Sequence, residues 1–551
     1  MFVIAYASLV LLSTLCFLVY RKYGGFAHEK ATNPQFIQFQ RPYVLLYAVA
    51  VLGDWLQGPY LYKLYHYHGF LESQVAVIYV FGIVSNVLFT PMKEVVADRM
   101  GRKKTAIVFA VLYAFSSILA TIPNFVVLII GRVVGGVANS FLFASMEMWY
   151  THEHLDTHDF PKEWIPVTFS LATFASSIVA VLAGVLADVF AHWFGLGPPA
   201  PYVLAVPVLL ATSVTIVFLW GENYGPENSR ISAATLRHSL VGGTKALCSK
   251  VEVFLVGSIQ ALFESVIFIF VFIWTPTLSP AKTVFPLGII FATFMVAFLI
   301  GELTCKHLGD RGVTPGTVFL GESVTYILHD ALENGDISLT LTLHSLSHCY
   351  IATVTFSLPH SLLLTYPHSH CHTLALTINP PLAPAFSPPP LLRSSPTNSP
   401  TLYLIPHLRP HCHSPPSHLT GMTATAGLAF YVGACFSAFP RITYLCFLIF
   451  EFACGIYFPV MGDIREKHLP EEHRLSIVSI FRIPLTVISA TTIWLYHYDM
   501  KGGIREILFF CGMLMTVACV CAFWFAQVIR RDAHGDSELA KTEEEATVRS
   551  V

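Results

Sequence analysis

Long apolar runs separated by short clusters of charge set the rhythm of this chain. A helix needs about 20 predominantly apolar residues to cross the hydrocarbon of a bilayer. Such runs fall at 2–20, 42–65, 73–91, 104–122, 125–147, 165–192, 201–220, 252–274, 285–305, 422–439, 442–461, 476–496 and 505–529. They predict one leading membrane helix followed by twelve more. The first run ends in Arg21-Lys22 instead of beginning with cations, so it reads as a retained helix and not as a cleaved signal peptide.

The charge between the runs gives the helices a direction. Arg21, Lys22, Lys30 and Arg41 stand in the first loop. Alternate loops then carry Arg99, Arg102, Lys103 and Lys104, then Lys162, then Arg230, Arg237, Lys245 and Lys250, then Arg465, Lys467 and Arg474. Arg530-Arg531 opens the tail, and the opposite loops offer little beyond Lys282, Arg441 and Lys501. The positive-inside rule places the cation-rich loops and the C-terminus in the cytoplasm. The expected organisation is an extra N-terminal helix (1–22), a six-helix bundle (42–220), a central cytoplasmic loop (221–250), a second six-helix bundle (251–305 and 421–529) and a cytoplasmic tail (530–551). The fold class is therefore an all-α polytopic membrane protein. Two six-helix halves joined by a cytoplasmic loop suit a carrier with its substrate site near the midplane.

Composition agrees with the bilayer as solvent. Charged residues make up 12% of the chain and the mean hydropathy is +0.61. A net charge of −2 gives no basic footprint for nucleic acid. The twelve cysteines form no CxxC pair, so a disulfide framework is not expected. The intervening segment 306–420 stands apart. Residues 337–420 lack Lys, Asp, Glu, Gly, Gln, Trp and Met, yet hold ten of the 24 histidines and 14 of the 34 prolines. A translated intron would give this bias. A disordered loop is the alternative, since such proline content resists core formation. A metal-binding loop is a third reading, on His368, His370, Cys371 and His372, but paired ligand spacing is missing.

Two short motifs carry mechanism. Asp98-Arg99-Met100-Gly101-Arg102-Lys103-Lys104 lies between the second and third core spans. Its glycine permits a tight turn, and an acid beside arginines can pair across helix ends. Gly131-Arg132-Val133-Val134-Gly135-Gly136 lies in the fourth, where small residues four apart let helices approach closely. On these residues the chain resembles the major facilitator superfamily. Gly309-Asp310-Arg311-Gly312 looks like a reduced second copy of the loop motif. Longer stretches (Asp54–Tyr65, Met148–His154, Asp159–Pro161, Glu163–Pro166, Gln260–Phe268, Trp274–Pro276 and Cys454–Pro459) resemble the eukaryotic molybdate-anion transporter family within that superfamily. The resemblance implies a major facilitator fold, with its first, fourth, seventh and tenth core helices lining the cavity. It also implies molybdate uptake at the plasma membrane. No cofactor is expected, and no nucleophile–base pair or metal-ligand set in the spans recommends an enzyme. The Asp98, Arg99, Gly101 and Arg102 loop is implied to gate the cytoplasmic side.

The charges inside the spans define a candidate site. Arg132 and Arg482 are the arginines well inside apolar runs, and an arginine there is costly unless it faces protein or water. Molybdate is a tetrahedral dianion, so Arg132 and Arg482 are expected to attract it, with Gln57 and Gln260 as amide donors. Asp54 and Gln57 are three apart and Gln260 and Glu264 four apart, so each pair is expected to share a helix face. The acids Asp54, Glu147, Glu264 and Glu451 read as ion-pair partners of the arginines or as acceptors of a coupling proton. No metal site is expected in the spans, and His152-Glu153-His154 is not an HExxH motif. Tyr60, Tyr62, Tyr65 and Tyr67 read as an interface belt. A monomer is expected. The alternatives are a carrier of another small solute (an organic anion or a sugar) and a non-transporting membrane sensor.

Overall fold

The computed structural model describes residues 2–23, 33–225, 242–245, 247, 250–278, 285–310, 338–346, 349–357, 415–470, 474–498 and 503–549. The central-loop cations Arg230 and Arg237, Arg311 and Gly312 of the second loop motif, and the cluster His368–His372 lie outside the described residues. The chain divides into a helical unit, Met1–Gly321 with Cys412–Val551, and a second unit, Glu322–His411.

The helical unit opens with α1 (Phe2–Tyr23). The first half follows: α2 (Pro34–Trp55), α3 (Leu61–Tyr67), α4 (Glu72–Phe89), α5 (Lys93–Met100), α6 (Arg102–Leu119), α7 (Phe125–His152), α8 (Ile165–Asp188) and α9 (Ala200–Leu219). The second half comprises α10 (Val251–Leu278), α11 (Leu287–Asp310), α12 (Pro415–Cys435), α13 (Pro440–His468), α14 (Arg474–Tyr498) and α15 (Ile504–Arg549). With α3 completing the α2 span and α5 extending the α4 span, each half holds six membrane passes. Eleven helices among the described residues are long and apolar enough to cross a membrane. The apolar part of α12 is shorter, Leu419–Cys435, and α6 opens on Arg102, Lys103 and Lys104.

Three helix boundaries depart from the hydropathy pattern. The predicted span 42–65 is instead a helix capped by Asn33, whose side chain accepts from Gln35 N at 2.9 Å, and it breaks after Trp55. Gly58-Pro59 explains the break: proline has no N–H to continue the ladder and disfavours helical backbone at the residue before it. The ninth core helix starts at Pro415, inside the compositionally distinct segment 306–420. The last helix continues to Arg549, through the region expected to be a solvated tail.

The second unit contains an antiparallel hairpin where the composition predicts disorder. Its strands are β1 (Ser338–Leu346) and β2 (Cys349–Ser357), with Ser338 opposite Ser357 and Leu346 opposite Cys349. Leu339-Thr340-Leu341-Thr342-Leu343 alternates apolar and polar residues with the strand period of two, a local signal the compositional bias hides.

The two halves meet along α8 with α11 and α4 with α14. The seam is tightest where α11 begins. A Cβ on Gly288 would lie 2.3 Å from the Gly184 carbonyl oxygen, so only glycine lets these backbones approach so closely. Aromatic contacts continue the seal at this end: Trp55 packs on Phe291 at 5.8 Å and Tyr62 on Phe272 at 5.9 Å between ring centroids. These contacts make this the closed end of the helical unit. The Asp98–Lys104 loop lies at the other.

Candidate functional site

Between the halves lies a cavity of about 350 Å³. The first half contributes Asn86, Lys93, Asn139 and Glu147 to its wall, and the second contributes Glu264, Phe268 and Arg482. Both halves therefore place charge in one space, as expected for groups lipid would not tolerate. A second cavity, about 720 Å³, lies within the first half and is lined by Arg102, His152, Asp156 and Tyr224 among others. Glu147 belongs to the walls of both cavities, so its exposure is to these spaces.

The second half positions its carboxylate by aromatic packing. Phe263 stacks on Tyr457 at 4.0 Å and 5°, which carries the Tyr457 hydroxyl to Glu264 Oε1 at 3.2 Å. The same half also brings Arg482 to the cavity, and its Nη1 donates to Thr90 Oγ1 at 3.2 Å, a bond from α14 to the end of α4. Gln260, one turn before Glu264, is buried, and its Oε1 has no hydrogen-bond partner. Glu451 is buried on α13 and does not line this cavity.

In the first half, Asp54 accepts hydrogen bonds from the Tyr113 hydroxyl and from Asn139 Nδ2, the latter at 2.7 Å. Asn139 also lines the inter-half cavity, so Asp54 sits just behind the wall. Arg132 lies two turns before Asn139 on α7. Its guanidinium carbon stands 5.8 Å from the centre of the Tyr79 ring, over which the cation is electrostatically favoured. Its Nε is buried without a hydrogen-bond partner, as are the hydroxyls of Tyr65 and Tyr202. The glycines beside it serve packing, for a Cβ on Gly135 would meet Ser116 Oγ at 2.4 Å.

Several sequence expectations change. Neither Arg132 nor Arg482 stands within ion-pair distance of a carboxylate among the described residues; Asp54 is held by Tyr113 and Asn139, and Glu264 by Tyr457, instead. Gln57 falls beyond the end of α2 and does not share a helical face with Asp54. Its amide turns back to the Gly53 carbonyl at 3.1 Å. Tyr60, Tyr62 and Tyr65 are buried in the closed end, and only Tyr67 remains exposed as an interface residue. Asn139, Tyr113 and Lys93 were missed. Polar residues inside or flanking apolar runs were the available signal.

Hydrogen bonds hold the loop motif in place. Asp98 accepts from Arg102 at 2.9 and 3.2 Å. Gly101 has φ +95°, a region that favours glycine, and hands the chain into α6. Lys103 N donates to Glu222 and Lys103 Nζ to the Trp220 carbonyl at 2.6 Å. These bonds tie the loop to the end of its own half.

The geometry is that of a membrane carrier, two helical halves around a charged central space, and comparison with known proteins identifies the group. Residues 1–324 match the family profile described as sugar transporters with 12 transmembrane segments. The molybdate-anion transporter of Xenopus tropicalis is 33% identical over 516 residues, covering 94% of this chain and 92% of that protein. The one of Danio rerio is 32% identical over 564 residues, with 97% of each covered. Among solved structures, inward-open xylose transporter XylE from E. coli gives a TM-score of 0.55 at 10% identity, covering 88% of this chain and 96% of that one. An auto-inhibited POT-family peptide transporter gives 0.55 at 10% identity, covering 89% and 96%. The chain belongs to the major facilitator superfamily, so it is a multi-pass membrane transporter and not an enzyme.

Proposed function

We propose that this transporter carries molybdate into the cell across the plasma membrane by alternating access, as a monomer and with a proton as the coupled ion. The observation that carries the reading is the inter-half cavity: Lys93 and Arg482 face it from opposite halves, with Asn86 and Asn139 as neutral donors. A dianion needs positive charge and hydrogen-bond donors, and a guanidinium supplies both. The relatives named molybdate-anion transporter support this substrate over a sugar, for which so charged a wall is a poor match. Glu147 and Glu264 in the same wall repel a dianion when ionised, so their protonation on entry is the natural means of coupling. The cation-rich loops support a closed end on the outside and a C-terminus in the cytoplasm. In this assignment the structure is inward-facing, with substrate leaving past Glu147.

Uptake of labelled molybdate by cells lacking their own high-affinity route tests the reading. Saturable accumulation, reduced by collapsing the proton gradient and little affected by excess sugar or organic anion, is expected. Absence of molybdate flux alongside flux of another solute overturns the substrate assignment. Molybdate flux indifferent to the proton gradient overturns only the coupling.

A further inference from the structure

The leading helix α1 is not needed to complete either six-helix half, yet it grips both. Ser8 Oγ and the Tyr444 hydroxyl, on α13 of the second half, are 2.7 Å apart. Two residues earlier, the Tyr6 hydroxyl accepts from Trp193 Nε1 at 3.3 Å and donates a long bond of 3.5 Å to Asp188 Oδ2, both in the first half. Further along, Tyr20 stacks on Phe174 of α8 at 5.6 Å and 15°. The helix also packs along α11. It therefore runs over the α8–α11 seam where the halves join.

Asp188 shows what this placement controls. The carboxylate is fully buried at the end of α8. Besides Tyr6, it accepts from the Tyr60 hydroxyl at 3.1 Å, at the break in the first core helix, and from Gly288 N at 3.3 Å. Gly288 is in the first turn of α11, where backbone N–H groups lack partners within the helix and the dipole favours an anion. One carboxylate of the first half thus caps a helix of the second, beside the Gly184–Gly288 approach. To open this end, Gly288 must leave Asp188. One turn of α1 is bonded to each side of that joint, so the halves cannot part there unless an α1 bond breaks or α1 leaves one of them.

We propose that α1 is a strap across the two halves, and that its Tyr6 and Ser8 hydroxyls bias the carrier toward the state in which the Asp188 end is shut. The strap acts on the conformational equilibrium whatever the solute. A membrane hydrogen bond contributes enough to shift such an equilibrium about threefold. Removing both anchors should therefore raise the ratio of open to shut forms at this end by roughly three- to tenfold.

The test uses the full chain in lipid nanodiscs without substrate. Click-reactive amino acids at Leu71 and Phe439, exposed positions of opposite halves at this end, carry spin labels for pulsed-resonance distance measurement. The Tyr6→Phe/Ser8→Ala protein should show a larger long-distance population than the parent at equal monodispersity. Tyr444→Phe, which alters the anchor from the other side, should shift the same way by a smaller factor. A shift in either variant supports the strap. Unchanged distance distributions in both overturn it. Because no solute is present, failure here is separable from failure of the molybdate reading.

Discussion

Arg482 and Gln57 make a useful contrast among the polar residues of the spans. Arg482 stands at the wall of the inter-half cavity, whereas the Gln57 amide is spent on the backbone of its own helix. A lost hydrogen bond to a charged group costs about 1.5–3 kcal/mol, roughly ten- to a hundredfold in affinity. Arg482→Gln should accordingly raise the KM for molybdate at least about tenfold with normal surface expression. Arg482→Lys should recover part of the loss, and Gln57→Ala should stay near parental. Initial-rate uptake across a range of molybdate concentrations separates the three, and an unchanged KM in Arg482→Gln removes that residue from the site. Most of these side chains were legible in the sequence because charge inside an apolar run is conspicuous. Their partners were not. Asn139 and Tyr113, which hold Asp54, belong to residue types common in any helix, and only the packing of α6 and α7 on α2 brings them together. Asp188 carried the same signal as Asp54, an acid inside an apolar run. Its meaning lies in a helix N-terminus one hundred residues away.

Helix existence followed directly from hydropathy, while helix ends followed from local chemistry that a hydropathy run averages away. Gly58-Pro59 ends α2 inside a continuous apolar stretch, and the Leu/Thr alternation of β1 lies within a segment whose overall composition points to disorder. Gly101 is the boundary whose role is most easily tested. Its φ of +95° strains any other residue, and an added Cβ would lie 2.5 Å from the Glu222 carboxylate oxygen that accepts from Lys103 N. Gly101→Ala should therefore destabilise the α5–α6 joint by about 1–3 kcal/mol. It should also loosen the hold of the loop on the end of α9. A lower melting temperature in detergent, followed by size exclusion, is the expected result, together with slower uptake at unchanged expression. A melting temperature equal to the parent's shows that the turn tolerates a side chain and that the loop's geometry does not depend on glycine.

At the scale of the whole molecule, the packing that makes a carrier is contained within the helical unit. The charged cavity draws its wall from α4, α5, α7, α10 and α14, and the shut end is sealed by α2, α3, α8, α10 and α11. Glu322–His411 forms a separate unit with its own internal contacts. An insertion between two consecutive helices adds a loop-closure cost that grows only slowly with length, so removing it need not disturb the helices it joins. A chain lacking 322–411 still has residues 311–321 and 412–414 to connect α11 to α12. Such a protein should reach the membrane, elute as a single species and accumulate molybdate within about twofold of the full chain, since closure entropy changes by well under the energy that holds the bundles together. Uptake measured side by side for the two proteins decides the point. Loss of transport with normal surface delivery shows that the segment supplies part of the transport cycle, while equal transport places the whole of the carrier in the two six-helix halves and their strap.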